Sequence, residues 1–271
     1  MALSETERSS RGVFILHDLV HNDSVVRDLE IRGVTIVESP CGLPAGATLI
    51  FSAHGVSREQ ERTARSLPLT VRDATCPQVR RVHDTAASRY AEGWSLLLAG
   101  RRGHCETEGI LGRVPPECIR LLETEEDALR FVPEPGRRYV LISQTTFLVS
   151  GFERIAAILK KRIPELRIER TFCPVAEERQ EAVRRLASVC GAVVAAGSPE
   201  SSNTRRLCES AREAGAQAYL LSGTSKIPPE LASFSGTLGL ISGASASEEE
   251  VRTVLSHLLE LPGAEFAGDF R

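Results

Sequence analysis

Two kinds of apolar pattern alternate along this chain. One is the short unbroken run: VFIL from Val13, TLIF from Thr48, LLLA after Ser95, YVLI from Tyr139, AVVAA from Ala192 and LGLI from Leu238, each closely followed by a polar or glycine-bearing turn. The other is the amphipathic stretch, such as QVRRVHDTAASRYAEG after Pro77 and VAEERQEAVRRLASV after Pro174. Short, wholly apolar runs predict strands buried on both faces, and the amphipathic stretches predict helices. Their alternation predicts an α/β fold of parallel sheets with crossover helices. In such sheets ligands bind beyond the carboxyl ends of the strands, which is where the polar turns lie.

The pattern repeats. Cys76 and Cys173 each precede a proline, an amphipathic stretch and an apolar run closed by a glycine twenty-four residues past the cysteine, Gly100 in one copy and Gly197 in the other. A second series matches: TLIFSAHGVS with Ser52, His54 and Gly55, YVLISQTTFLVS with Ser143, Thr145 and Thr146, and LGLISGASAS with Ser242 and Ser245. The leading serines are 91 and 99 residues apart, close to the 97 between the cysteines. Such a period marks one structural unit used three times. It predicts three αβ units, residues 1–75, 76–172 and 173–271, facing a shared centre on which the matching cysteines converge. The same register puts the first unit's own cysteine roughly seven residues upstream of Met1, so that unit reads as incomplete at its amino end.

With 271 residues, 42% of them hydrophobic, the chain can bury more than one core. No apolar run approaches the roughly 18 residues of a membrane span, and the start lacks the order of a signal peptide, so the cytoplasm is the expected location and no membrane is expected as partner. A net charge of -3 with arginines scattered among glutamates leaves no basic stripe for nucleic acid. Seven irregularly spaced cysteines argue against a secreted disulfide framework and for reduced thiols, some with metal or redox duties. A cysteine followed by proline at the first helical position sits where the helix dipole favours the thiolate that a metal requires. Cys76 and Cys173 both qualify; Cys41, Cys118, Cys190 and Cys208 read as small structural residues.

The segments SAHGVS, DATCPQV, GHCETEG, SQTT, RQEAV, GSPESSN and SGASAS follow one another within the span from His21 to Ser247. In this order they resemble the LytB/IspH family, the 4-hydroxy-3-methylbut-2-enyl diphosphate reductases. The resemblance implies a trefoil of three αβ domains around a [4Fe-4S] cluster held by three cysteines, with one iron open to substrate. It also implies the final step of the non-mevalonate isoprenoid pathway, in which an allylic alcohol diphosphate is reductively dehydroxylated to isopentenyl and dimethylallyl diphosphate, with electrons delivered singly by ferredoxin or flavodoxin. Residue by residue, it implies Cys76 and Cys173 as cluster ligands, Glu106 as the proton-relay glutamate and Thr145 as the threonine that positions the substrate hydroxyl in that relay. His21, His54, His104, Thr145, Ser201, Ser202, Asn203 and Ser245 match the substrate-binding positions. The residue types suit this chemistry: three thiolates on four irons leave one iron as a Lewis acid, C–O cleavage needs an acid within hydrogen-bond reach, and a diphosphate needs the donors that helix N-termini supply. Taken singly, His21 and His54 would be strand-end histidines, Ser201-Ser202-Asn203 a helix cap and Ser245 a turn residue.

The sequence also departs from the family pattern. The family's first ligand, in a Gly-Phe-Cys-Ala-Gly type segment, is not in it; Pro-Val-Ala-Glu-Glu follows Cys173; Cys105 replaces a proline between His104 and Glu106; and the chain is short after Leu261. Ala176 cannot donate a hydrogen bond, and Glu177 and Glu178 would repel a diphosphate if turned inward. These differences leave three other readings: a related iron–sulfur reductase on another hydroxylated substrate, a cluster-deficient non-catalytic diphosphate-binding homologue, and a zinc site of Cys76, Cys173 and His104. His17 and His83 read as structural, Glu108 as a solvated helix-start carboxylate, and Arg101 with Arg102 as a loop pair near the site.

Overall fold

The computed structural model describes residues 11–17 and 23–266. They form three parallel sheets. The first contains β1 (Val13–Leu16), β2 (Val34–Val37), β3 (Thr48–Phe51) and β4 (Thr70–Asp73), in the order β2-β1-β3-β4. The second contains β5 (Ser95–Ala99), β6 (Ile119–Leu122), β7 (Tyr139–Ser143) and β8 (Arg167–Ile168), in the order β6-β5-β7-β8. The third contains β9 (Ala192–Ala196), β10 (Gln217–Leu221) and β11 (Leu238–Ser242), with β9 central. The chain divides after Cys173 into two compact units, Met1–Cys173 with the first two sheets and Pro174–Arg271 with the third.

The apolar runs read from the sequence are β1, β3, β5, β7, β9 and β11, and the α/β class with parallel sheets is the one found. The flanking strands β2, β4, β6, β8 and β10 were not legible. They lie at sheet edges, where burial is partial: β4 (TVRD) alternates exposed and half-buried positions, and the two residues of β8 are both exposed. Charged residues therefore interrupt the apolar run, and the segment reads as a loop.

In the second sheet, alternate residues of β5 face opposite layers. Leu96 and Leu98 join Val82 and Ala86 of the helix Pro77–Ala91 in one core, while Leu97 and Ala99 join Phe152, Ile155 and Leu159 of the helix Val149–Arg162 in another. The buried stripe of the first helix is Val79, Val82, His83 and Ala86, at helical spacing, so a histidine stands on an otherwise apolar face.

One turn recurs at the carboxyl ends of β3, β7 and β11. The amides of Gly55, Phe147 and Ala246 donate to the carbonyls of Ser52, Gln144 and Gly243 at 3.1, 3.1 and 3.2 Å. This fixes the repeat one residue away from the alignment of leading serines: Ser52 matches Gln144 and Gly243, so His54 shares its position with Thr146 and Ser245, and Thr145 with Ala53 and Ala244. No helix of the described residues is long and apolar enough to cross a membrane.

In the third sheet the helix Pro174–Val189 comes so close that a Cβ on Gly239 would lie 2.5 Å from Leu186 Cγ. Gly239→Ala must therefore displace the Leu186 side chain or the helix that carries it. The expected loss is about 1–3 kcal/mol, seen as a lower urea midpoint with an unchanged denaturant slope.

Candidate active site

The centre of the second sheet's carboxyl edge is a buried acid. Past β5 the chain turns into a short helix, Cys105–Leu111, whose N-cap is His104; its Nδ1 accepts the Glu106 amide at 3.2 Å. An accepting Nδ1 leaves the ring proton of the neutral imidazole on Nε2. Glu106 is 2% exposed, and Thr145, just past β7, meets its carboxyl group with two donors. The Thr145 amide donates to Oε1 at 2.6 Å and the hydroxyl donates to Oε2 at 2.9 Å. Burial pushes the Glu106 pKa up to about 7, against the opposite pull of both Thr145 hydrogen bonds. The carboxyl group thus keeps a substantial protonated fraction at neutral pH, as proton donation requires.

Gln144 is the functional residue that sequence reasoning passed over. Fully buried, it accepts the Arg101 amide at 3.1 Å and the Thr107 hydroxyl at 3.3 Å on Oε1, while Nε2 donates to Thr146 Oγ1 at 3.2 Å. It ties the β5 loop, the Glu106 helix and the β7 loop together. The available signal was its position directly before Thr145 in SQTT. Arg101 and Arg102 serve here through their amides, the second donating to Glu123 at 3.3 Å. Glu108 is exposed and accepts the Gly103 amide at 3.3 Å.

The two thiols occupy equivalent places. Cys76 follows β4 and caps the helix Pro77–Ala91; Cys173 follows β8 and directly precedes the helix Pro174–Val189. The Cys76 amide donates to the Ala53 carbonyl at 3.0 Å and the Cys173 amide to the Thr145 carbonyl at 2.9 Å, two residues past the ends of β3 and β7 respectively. Cys76 makes no side-chain capping bond, and both thiols are half-buried. The donor type and the helix-tip setting fit two thiolate ligands of an iron–sulfur cluster. The zinc reading is not supported: among the described residues no three His, Cys, Asp or Glu side chains gather where they could hold a metal ion, so Cys76, Cys173 and His104 do not assemble into one site.

Within Met1–Cys173, the rings of His54 and His104 meet edge to face with centroids 5.6 Å apart. His21 lies outside the described residues. Within Pro174–Arg271, Ser201 caps the helix Ser202–Glu213, its Oγ accepting the Thr204 amide at 3.3 Å and the Ser245 hydroxyl at 3.4 Å. Asn203 is buried beside this cap, and both ends of its amide lack a hydrogen-bond partner among the described residues. A buried carboxamide in that state suits a polar ligand at the helix N-terminus. Of the residues that depart from the family pattern, Ala176 is buried, Cys105 and Glu177 are half-buried, and Glu178 is exposed. His17 is bonded to Glu38 and Gln60 at 2.9 Å each.

A buried carboxyl group with a raised pKa and two helix-tip thiols past the strand ends place this chain among α/β proteins with parallel sheets and strand-end sites. Residues 1–259 match the LytB protein family, and the chain belongs to it. It is 38% identical over 266 residues, 96% of its length and 80% of the relative's, to the 4-hydroxy-3-methylbut-2-enyl diphosphate reductase of Methylibium petroleiphilum. It is 37% identical to the reductase of Nitrosomonas europaea, over 92% of this chain and 78% of that one. Among solved structures, the E-1-hydroxy-2-methyl-but-2-enyl-4-diphosphate reductase of Plasmodium falciparum is similar over 100% of this chain and 90% of its own, at 25% identity and a TM-score of 0.89. A second, (E)-4-hydroxy-3-methyl-but-2-enyl diphosphate reductase, the terminal enzyme of the non-mevalonate pathway, covers 96% of this chain and 92% of its own at 28% identity and a TM-score of 0.65.

Two buried groups give the stability of this protein opposing pH dependences. Glu106 keeps its proton in the fold up to about pH 7 but loses it near 4.5 when unfolded, so its contribution is lost as pH rises through that window. Burial, then the Arg113 and Arg80 charges against that of Asp73, lower the His83 pKa from 6.5 to about 3. The unfolded chain binds a proton there that the fold refuses, so stability is lost as pH falls from 6.5 toward 3. Each slope approaches about 1.4 kcal/mol per pH unit, and the two oppose each other where the windows overlap. Glu106→Gln removes the first slope alone. Urea unfolding of this variant is expected to show free energy rising more steeply with pH between 4.5 and 6.5 than in the parent protein, whereas parallel profiles would contradict the assignment.

Proposed function

We propose that this chain reduces (E)-4-hydroxy-3-methylbut-2-enyl diphosphate to isopentenyl and dimethylallyl diphosphate, the closing step of the non-mevalonate route to isoprenoids. The observation that carries this reading is the buried Glu106 carboxyl group held by the amide and hydroxyl of Thr145 in a chain of the LytB family. The reaction takes two electrons and two protons: the allylic C–O bond breaks, the hydroxyl leaves as water, and a carbon of the allyl system gains hydrogen. Hydroxide is a poor leaving group, so a proton must reach the departing oxygen as the bond breaks. With its hydroxyl turned from Oε2 toward the substrate, Thr145 accepts the proton of protonated Glu106 on Oγ and passes its own to the leaving oxygen. Burial supplies the raised pKa, and the Gln144 bonds hold the two residues in register.

His104, with its proton on Nε2, and His54 donate to substrate oxygens. Ser201, Ser202, Asn203 and Ser245 bind the diphosphate, as do the backbone N–H groups at the start of the helix Ser202–Glu213. His21 belongs to the same substrate-binding set. Cys76 and Cys173 would hold two corners of a [4Fe-4S] cluster, which would supply single electrons and Lewis acidity. A ferredoxin or flavodoxin supplies the electrons. The cytoplasm suits this chemistry, and among the described residues no disulfide forms. We read the chain as three αβ units, 1–75, 76–172 and 173–271, each with one of the three sheets.

The test is anaerobic reconstitution with iron and sulfide, then turnover of the allylic diphosphate with a reduced viologen dye. Consumption with formation of both isoprenoid diphosphates is expected. Glu106→Gln is expected to lower kcat by about 10²–10⁴-fold with KM little changed, and Asn203→Ala to raise KM. Reconstituted protein that leaves the diphosphate untouched would overturn the reading.

A further inference from the structure

His83 is on the buried stripe of the helix Pro77–Ala91 and is 3% exposed. The other buried members of that stripe, Val79, Val82 and Ala86, fill space without a desolvation cost, whereas an imidazole there has its Nε2 buried with no hydrogen-bond partner among the described residues. Its surroundings show what the ring does. A Cβ on Gly55 would lie 2.6 Å from His83 Cε1; a Cβ on Gly109 would lie 3.1 Å from Nε2 and 3.7 Å from the Gly55 carbonyl carbon. The ring's edge thus sits in a slot lined by both glycine backbones, at the place where the turn and the helix come close. Gly55 follows His54 directly and has a φ of +75°, and Gly109 is three residues, one helical turn, past Glu106. A little further on, Arg113 donates to the Val56 carbonyl at 2.5 Å and the Arg58 amide to the Gly112 carbonyl at 3.3 Å, so the turn and the helix are clamped beyond the slot as well.

We infer that His83 is a positioning residue: its flat, neutral ring sets the gap between the turn that presents His54 and the helix that presents His104 and Glu106. A branched aliphatic side chain is too thick for the slot, and a smaller one lets the two backbones collapse or admits water beside Glu106. Burial chiefly, then the Arg113 and Arg80 charges, disfavours a charged imidazole against the opposing pull of Asp73, so the spacer stays neutral through the working pH range. This inference rests on the proposed function only for what His54, His104 and Glu106 do to a substrate; the spacing itself is a property of the protein alone.

The test compares His83→Ala, His83→Gln and Gly109→Ala in the full chain. Two measurements need no turnover: the carbon-13 NMR titration of Glu106, assigned against Glu106→Gln, and the proton contact between the His54 and His104 rings. In His83→Ala the Glu106 midpoint is expected to fall from about 7 by about one unit or more as water enters, and the ring contact to weaken. The flat amide of His83→Gln is expected to restore much of both. Under turnover, His83→Ala is expected to lower kcat by roughly 10²-fold with KM little changed. Folded His83→Ala with an unaltered Glu106 midpoint and ring contact would overturn the inference. Should that variant not fold, Gly109→Ala, whose methyl displaces the ring from the other side, must move the same midpoint, and an unmoved midpoint there overturns it equally. Wild-type protein that titrates as expected but leaves the diphosphate untouched condemns the functional reading alone.

Discussion

A carboxyl group taken out of water and given only the amide and hydroxyl of a single residue as partners governs how the second sheet ends. Charge burial without a cation is costly, and the cost is met by keeping the proton. That in turn demands a fixed neighbour. Thr145 can offer its amide because it stands past the end of β7, where no ladder bond uses it, and its carbonyl takes the Cys173 amide instead. The acid and the second thiol are therefore anchored on opposite sides of one peptide unit's neighbourhood, and a shift of Thr145 moves both. Gln144 keeps it from shifting by bonding the loops on either side.

The same economy joins the first two sheets. Where the turn after β3 meets the helix Cys105–Leu111, the contact is made by atoms that glycine exposes. A Cβ on Gly112 would lie 2.4 Å from Ser57 Cβ, and Gly55 and Gly109 close on His83. Backbone against backbone gives a stiff joint, because no rotamer can absorb a displacement. It explains why two sheets with separate cores behave as one compact unit up to Cys173.

Much of this was legible in the sequence. The central strands announced themselves as apolar runs because they are buried on both faces: all five residues of β7 and of β9 are buried. Cys76, Cys173, Glu106 and Thr145 stood in motifs whose order carried the family. The edge strands did not show, since half-exposed segments such as β4 and β8 carry the charges of loops. The repeat was visible but misplaced by one residue in its first copy: Ser52 resembles Ser143, whereas the shared turn aligns Ser52 with Gln144 and Gly243, and hydrogen bonding rather than side-chain likeness defines the match. Gln144 and His83 were passed over for a common reason. A residue that works by holding two loops at a set distance has no pattern of its own in one dimension, and its role appears only when both loops are in place.

The short strands β4 and β8 are followed, three and five residues on, by Cys76 and Cys173, while β11 of the third sheet is followed by the helix Glu248–Leu259. The turn that holds Ser245 lies there against Ser201, the cap of the helix Ser202–Glu213. On the proposed roles, redox duty and anion recognition fall on separable pieces of chain. On that proposal, drift in the last third of the gene retunes which anionic tail is accepted while the segments bearing Cys76 and Cys173 stay as they were.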